Sequence, residues 1–235
     1  MTRPRQQRLG GLDTLVVPGQ PGGLTIAMLH GFGADAYDLL SLADVVPVPA
    51  GTTWLFPHAP HEVEIGPHVT GRAWFPIDLM ALQMAMLSGQ TRDLSQQQPP
   101  ELAVSRQMVA QMLADYGAPL DRTVLAGFSQ GAMTATSLAM HADVAPAGLA
   151  ILSGTLLEAP AWQALAPRRA GLRFVQSHGR QDPMLGFAAA ERLHGLLTAA
   201  GWLGPMVAFS GGHEIPPPAL RGLADLATLC RAQLA

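Results

Sequence analysis

Short apolar runs alternate with amphipathic stretches along most of this chain. The runs fall at 12–17, 24–29, 52–56, 123–126, 148–152, 172–176 and 206–209. Each is four to six residues long, rich in Val, Ile, Leu or Phe, and ends at Gly, Pro, Ser or His. That length and those stops predict strands. The run at 12–17, flanked by Pro18-Gly19, is expected at a sheet edge, and 24–29, more continuously apolar, at its centre. Between the runs, apolar residues recur at helical spacing. Leu102, Val109, Met112, Leu113 and Tyr116 make one face of a helix over 101–116, and Gly117 is its natural stop. Further helices are expected from Asp35 to Val45, at 132–140, at 187–200 and after Pro216-Pro217-Pro218.

Strand alternating with helix predicts an α/β sheet covered on both faces. No repeat and no linker divides the chain, so one domain over 1–235 is expected, with 1–11 as a loose arm. Residues 77–100 break the pattern. A methionine-rich run (Leu79-Met80-Ala81-Leu82-Gln83-Met84-Ala85-Met86-Leu87) passes into a polar stretch ending at Pro99-Pro100. This segment is expected as an insertion over one end of the sheet.

Composition narrows the classes. Of 235 residues, 49% are hydrophobic and 13% charged, which suits a globular chain; the net charge of −3 with no basic tract argues against nucleic-acid binding. The single cysteine, Cys230, excludes an internal disulfide and a multi-thiolate metal site, and its helical stripe places it in a core. No run approaches the ~18 apolar residues of a membrane span, and no signal-peptide pattern is seen, so no integral membrane segment and a cytoplasmic location are expected.

The candidate chemistry centres on Gly127-Phe128-Ser129-Gln130-Gly131, a G-x-S-x-G pattern between the strand at 123–126 and a helix of small residues. A sharp strand-to-helix turn would expose the Ser129 hydroxyl at a strained elbow, and a side chain at either glycine would collide where strand and helix cross. A serine hydroxyl needs a base, and the base a carboxylate. Asp182 follows one strand and His213 the next, giving the order serine, acid, histidine. Asp225, within the last helix, is the competing acid. An oxyanion hole would draw one backbone N–H from Gln130 and one from the loop His30-Gly31-Phe32-Gly33; the His30 side chain is expected to brace that loop. His58, His61, Glu62, Glu64 and His68 cluster in a proline-bearing stretch expected as a solvated loop, without metal-ligand spacing.

Five segments occur in order: Leu29-His30-Gly31-Phe32-Gly33-Ala34-Asp35, Arg72-Ala73-Trp74-Phe75, the serine motif, His178-Gly179-Arg180-Gln181-Asp182-Pro183, and Gly212-His213-Glu214-Ile215. Together they resemble the acyl-protein thioesterase and phospholipase/carboxylesterase family of α/β-hydrolases. The resemblance implies an α/β-hydrolase fold with a mostly parallel sheet, and Ser129, Asp182 and His213 as a triad. It also implies the N–H groups of Phe32 and Gln130 as the oxyanion hole, and neither metal nor organic cofactor. Hydrolysis would proceed through an acyl-enzyme on a small-molecule ester or thioester of short to medium acyl chain, with lysophospholipids also in range. Trp74, Leu79 and Met184 are the expected substrate contacts. The methionine run is an acyl wall or lid, or else a helix packed on the body or on a second subunit, which leaves a homodimer open. The lid reading expects serine at Met84 and Met86 to weaken long-chain activity selectively. An amidase or peptidase with the same triad, and a non-catalytic binding module of the same fold, remain the alternatives.

Overall fold

The structure, a computed structural model, describes residues 4–234, without the side chains of Leu79, Leu82, Gln83 and Met86. An eight-stranded sheet runs through it. Its strands are β1 (Arg5–Leu9), β2 (Leu12–Val17), β3 (Thr25–Leu29), β4 (Thr53–Pro57), β7 (Thr123–Phe128), β8 (Gly148–Leu152), β9 (Phe174–Gly179) and β10 (Met206–Phe209). The spatial order is β1-β2-β4-β3-β7-β8-β9-β10. β1, β2 and β4 pair antiparallel, and everything from β4 to β10 is parallel.

Register sets the site. Leu29 pairs with Gly127, Phe128 with Leu152, Leu152 with Ser177, and Phe209 with Gly179. The parallel strands therefore end together. The residues that follow them (His30, Ser129, Ser153, Asp182 and His213) emerge at one edge, where open α/β sheets bind ligands.

Helices α3 (Pro100–Tyr116), α4 (Gln130–His141), α5 (Ala159–Leu165) and α6 (Phe187–Ala199) pack on one face; the short α1 (Leu42–Val45) and α7 (Pro217–Ala232) cover the other. β3, β4 and β8 are buried along their whole length, and β7 up to Phe128, which explains their continuous apolar runs. Cys230 sits in the α7 core, donating to Ala147 O at 3.0 Å, with its thiol pushed up to about 11 by burial. This mostly parallel, doubly covered sheet is the α/β-hydrolase fold, with α2 (Leu79–Leu87) and the segment after it near the carboxyl ends of the strands.

Four expectations are corrected. The arm is not loose: Arg5–Leu9 pairs residue by residue with β2, from Arg5↔Val16 to Leu9↔Leu12. β2 is therefore interior rather than an edge. The stretch 61–73 is a hairpin of β5 (His61–Gly66) and β6 (Val69–Ala73), not a solvated loop. Asp35 caps a turn, accepting Tyr37 N–H at 2.8 Å, and the helix begins only at Leu42.

Candidate active site

Ser129 stands between β7 and α4 with φ 53° and ψ −116°, a conformation most side chains avoid. Close packing holds it there. A Cβ on Gly127 would lie 2.3 Å from the backbone carbon of Gly131, and one on Gly131 would lie 2.2 Å from Leu29 O. The two glycines are thus needed where β7, α4 and β3 touch. Ser129 N–H donates to Leu152 O at 2.9 Å, tying the elbow to β8.

Asp182 and His213 converge from the loops after β9 and β10. His213 Nδ1 lies 2.7 Å from Asp182 Oδ2. Asp182 Oδ1 accepts the backbone N–H groups of Met184 and Leu185 at 2.8 and 2.9 Å. The two loops are stitched together: Arg180 N–H donates to Phe209 O and Gln181 N–H to Gly211 O. A Cβ on Gly179 would come within 2.1 Å of Gly212 O, so this approach requires glycine. Ser153 Oγ donates to Glu214 O at 3.0 Å and holds the histidine loop from β8.

Burial works to raise the Asp182 pKa, but hydrogen bonds from His178 and His213, the His213 charge and the Leu185 N–H outweigh it. The carboxyl is held well below the usual carboxylate range. The His213 ring lies 4.9 Å from the ring of Phe128, the residue preceding Ser129. Asp225, the competing acid, is exposed on α7, in a different cleft bordered by Val175 and Leu203.

The His30–Gly33 loop is braced from three sides. His30 is buried, its Nδ1 is 2.7 Å from Gly31 O, and its Nε2 is 3.0 Å from Ala59 N. Those partners fix the neutral tautomer with hydrogen on Nδ1. Burial pushes the imidazole down to about 4. Trp74 Nε1–H donates to His30 O at 2.9 Å, and Gly33 N–H donates to Arg72 O at 2.8 Å. The Gln130 side chain then clamps the next segment, accepting Trp74 N–H at 2.8 Å and donating to Phe75 O at 2.6 Å. The Phe32 and Gln130 N–H groups find no acceptor among the described residues.

A pocket of about 170 Å³ opens beside Ser129, Gln130 and Phe32. Its apolar walls include Phe75, Ile77, Leu94, Met133, Met184 and Leu185; Asp78, Arg92 and Gln97 add polar groups. Met184 lines the pocket. Trp74 does not: it is fully buried beneath, and Phe75 faces the pocket in its place. The Leu79 side chain lies outside the described residues. Met80 and Met84 are 76% and 63% exposed, so these two methionines point to solvent rather than into the pocket.

Two contributors were not anticipated. The Gln130 side chain carries no sequence signal beyond the motif. His178 was visible only as a histidine after a strand, yet its Nε2 lies 3.2 Å from Asp182 Oδ2. Among the described residues no group of three or more His, Cys, Asp or Glu converges as a metal site; Glu62 pairs with Arg72 at 3.2 Å, and His58 Nδ1 accepts Ala36 N–H at 3.4 Å.

Similar proteins agree with this architecture. The Phospholipase/Carboxylesterase family profile matches residues 13–230. The fold is shared with a carboxylesterase from Mesorhizobium loti (TM-score 0.72, 19% identity, covering 95% of this chain and 97% of that one). It is shared as well with acyl-protein thioesterase 2 from Zea mays (0.70, 24%, 94% and 99%) and with the carboxylesterase of Bacillus cereus (0.66, 19%, 93% and 94%). The chain belongs to the phospholipase/carboxylesterase family of α/β-hydrolases.

Proposed function

We propose that this protein is a serine esterase working through an acyl-enzyme, with Ser129 as nucleophile, His213 as base and Asp182 as its orienting carboxylate. The observation that carries this reading is the 2.7 Å contact between His213 Nδ1 and Asp182 Oδ2, at the sheet edge where Ser129 occupies a strained elbow. An ionised Asp182 holds a proton on Nδ1 and leaves Nε2 free as the base.

Ser129 Oγ attacks the acyl carbon as its proton passes to His213 Nε2. The carbonyl oxygen becomes an oxyanion and accepts from the N–H groups of Phe32 and Gln130, the second at the positive end of α4. Breaking the bond to the leaving oxygen or sulfur returns that proton to the leaving group. Water, deprotonated by His213 Nε2, then attacks the acyl carbon; the bond to Ser129 Oγ breaks, the same proton returns to Oγ, and the acid departs. Each oxyanion donor lowers the barrier by ~3 kcal/mol in comparable sites.

The acyl chain enters the apolar pocket. Its volume of about 170 Å³ is near that of a ~150 Å³ cavity able to hold benzene. That size favours acyl chains of short to medium length, on oxygen or sulfur esters. The site lies in one domain spanning the chain, and we place its action in the cytoplasm. No helix among the described residues is long and apolar enough to cross a membrane.

The test is a series of nitrophenyl esters from acetate to laurate, with a matched thioester and a lysophospholipid, run beside Ser129→Ala. The variant should lose on the order of 10⁴-fold or more in kcat. Activity should peak at short or medium chains. Equal rates for wild type and variant would remove the assignment of Ser129.

A further inference from the structure

We propose that His178 is a positioning residue for the hydrolytic site: its Nε2–H holds Asp182 Oδ2 in the plane that faces His213 and shares the negative charge that His213 feels. The proposal rests on the reading of Asp182 and His213 given above.

His178 is fully buried near the end of β9, edge-on to Phe187 at the start of α6, with ring centroids 6.2 Å apart. Its Nε2 is 2.7 Å from Leu185 O and 3.2 Å from Asp182 Oδ2. Both oxygens are acceptors, so the nitrogen facing them carries hydrogen, shared between the two. The other ring nitrogen, Nδ1, is buried and without a partner among the described residues. A hydrogen there would be an unpaired buried donor, so the tautomer with its hydrogen on Nε2 is the lower-cost arrangement.

A buried ring with one nitrogen unpartnered is a costly way to fill space, since an apolar side chain would leave no orphaned atom. What the histidine supplies is the Nε2 donor. Asp182 Oδ1 is already fixed by the N–H groups of Met184 and Leu185. Oδ2 receives His213 on one side and His178 on the other, at 2.7 and 3.2 Å. Through Leu185 O the same imidazole also braces the turn that carries those N–H donors.

Two consequences follow for His213. A carboxylate held by donors on both oxygens does not rotate, and Nδ1 keeps its proton in the correct direction. Removing the His178 donor also leaves Oδ2 a stronger acceptor. The His213 imidazolium is then favoured more, and the acidic limb of the pH–rate profile moves to higher pH.

The experiment compares kcat and kcat/KM against pH for wild type, His178→Gln and His178→Asn on one nitrophenyl ester, with Asp182→Asn as reference. Glutamine places an amide N–H near the Nε2 position; asparagine is similar in polarity but too short. His178→Asn should lose about tenfold in kcat with KM little changed, as expected for a misdirected catalytic group. Its acidic limb should rise by about half a pH unit, a modest change in interaction. His178→Gln should keep most of the activity and the wild-type limb. Equal loss in both variants with the limb unmoved would assign His178 to packing and overturn the proposal, as would wild-type behaviour in both. If neither variant folds, the most downfield imidazole N–H proton resonance of the wild type decides. Two coupled downfield N–H signals, both perturbed by a covalent phosphonate on Ser129, support the proposal; a His178 signal indifferent to that adduct overturns it. Failure of the underlying reading is read separately: Asp182→Asn would then retain wild-type activity.

Discussion

The two sides of the pocket are built differently. On one side Ser129, Asp182, His213 and the His30–Gly33 loop are locked by buried and partly buried hydrogen bonds reaching five strand ends. The Gln130 clamp, the Trp74 indole, the Asp182 carboxylate and Ser153 Oγ each bridge separate elements. On the other side, the wall from Ile77 to Gln97 is held mostly to itself. Asp78 caps Ala81 N–H at 2.9 Å and its carbonyl accepts Arg92 at 3.2 Å. Its last part is stitched to the body: Arg192 on α6 donates to Asp93 Oδ2 at 2.8 Å, and Ser95 O and Gln97 O accept from Ala159 and Glu158 N–H. Its helix carries Met80 and Met84 into solvent, and Leu87 is 84% exposed. The contrast separates two tasks. Groups that move protons must be preorganised, because small displacements are costly to rate. A wall that only excludes water and shapes an acyl chain tolerates apolar side chains of varied shape, and so is where substrate choice can vary on one fold.

That division predicts that changes on the locked side lower the rate for every ester, whereas changes on the wall reorder the esters. Beyond Ser129 itself, the largest effect is expected at Asp182→Asn, with a loss on the order of 10⁴-fold in kcat on all chain lengths, through the wrong His213 tautomer. Steady-state rates across the ester series check it; a loss confined to long chains would erase the distinction between the two sides. Next, Gly131→Ala places a methyl against Leu29 O and should destabilise the fold by about 3 kcal/mol or more. Urea denaturation reads this directly, and a fold as stable as wild type would show that the elbow is not tightly packed.

His30 gives a pH signature of the braced loop. Its folded pKa of about 4 lies below the 6.5 of the unfolded chain. Between these values the unfolded chain binds a proton that the folded chain does not, so stability rises with pH. The change should reach about 3 kcal/mol across the window. It should be present in wild type and reduced in His30→Asn when unfolding is followed from pH 4 to 7. The smallest effects belong to the wall. Met184→Ala, at the pocket, should change the ratio of octanoate to acetate hydrolysis severalfold while leaving acetate kcat within about twofold. Met84→Ser, on the solvent side, should leave that ratio unchanged. A large shift at Met84 would mean that α2 folds over the acyl chain during turnover.

The same division governs what the sequence disclosed. Strands β3, β7, β8 and β10 were legible because they are short, apolar and sharply ended, and with them the positions after each strand. The elbow was legible because both of its glycines are required. The N-terminal strand was not: Arg5-Gln6-Gln7-Arg8 is exposed on both faces, so no alternation marks it, and only pairing with β2 makes it a strand. The β5–β6 hairpin did carry a signal, the alternation of Glu62, Val63, Glu64 and Ile65 before a Gly66-Pro67 turn, which the nearby histidines obscured. Trp74 was misplaced because adjacent residues face opposite ways, and the backbone put Phe75 in the pocket. The roles of the Gln130 and His178 side chains depend on contacts across 55 residues and on the tight turn at Asp182, which periodicity does not encode.

The most direct test of the central claim is covalent labelling with a fluorophosphonate, located by peptide mass spectrometry and timed in wild type, Asp182→Asn and Ser129→Ala. The predicted result is one adduct on Ser129, formed far more slowly in Asp182→Asn and absent in Ser129→Ala. No adduct, an adduct on another residue, or equal labelling rates in wild type and Asp182→Asn would contradict it.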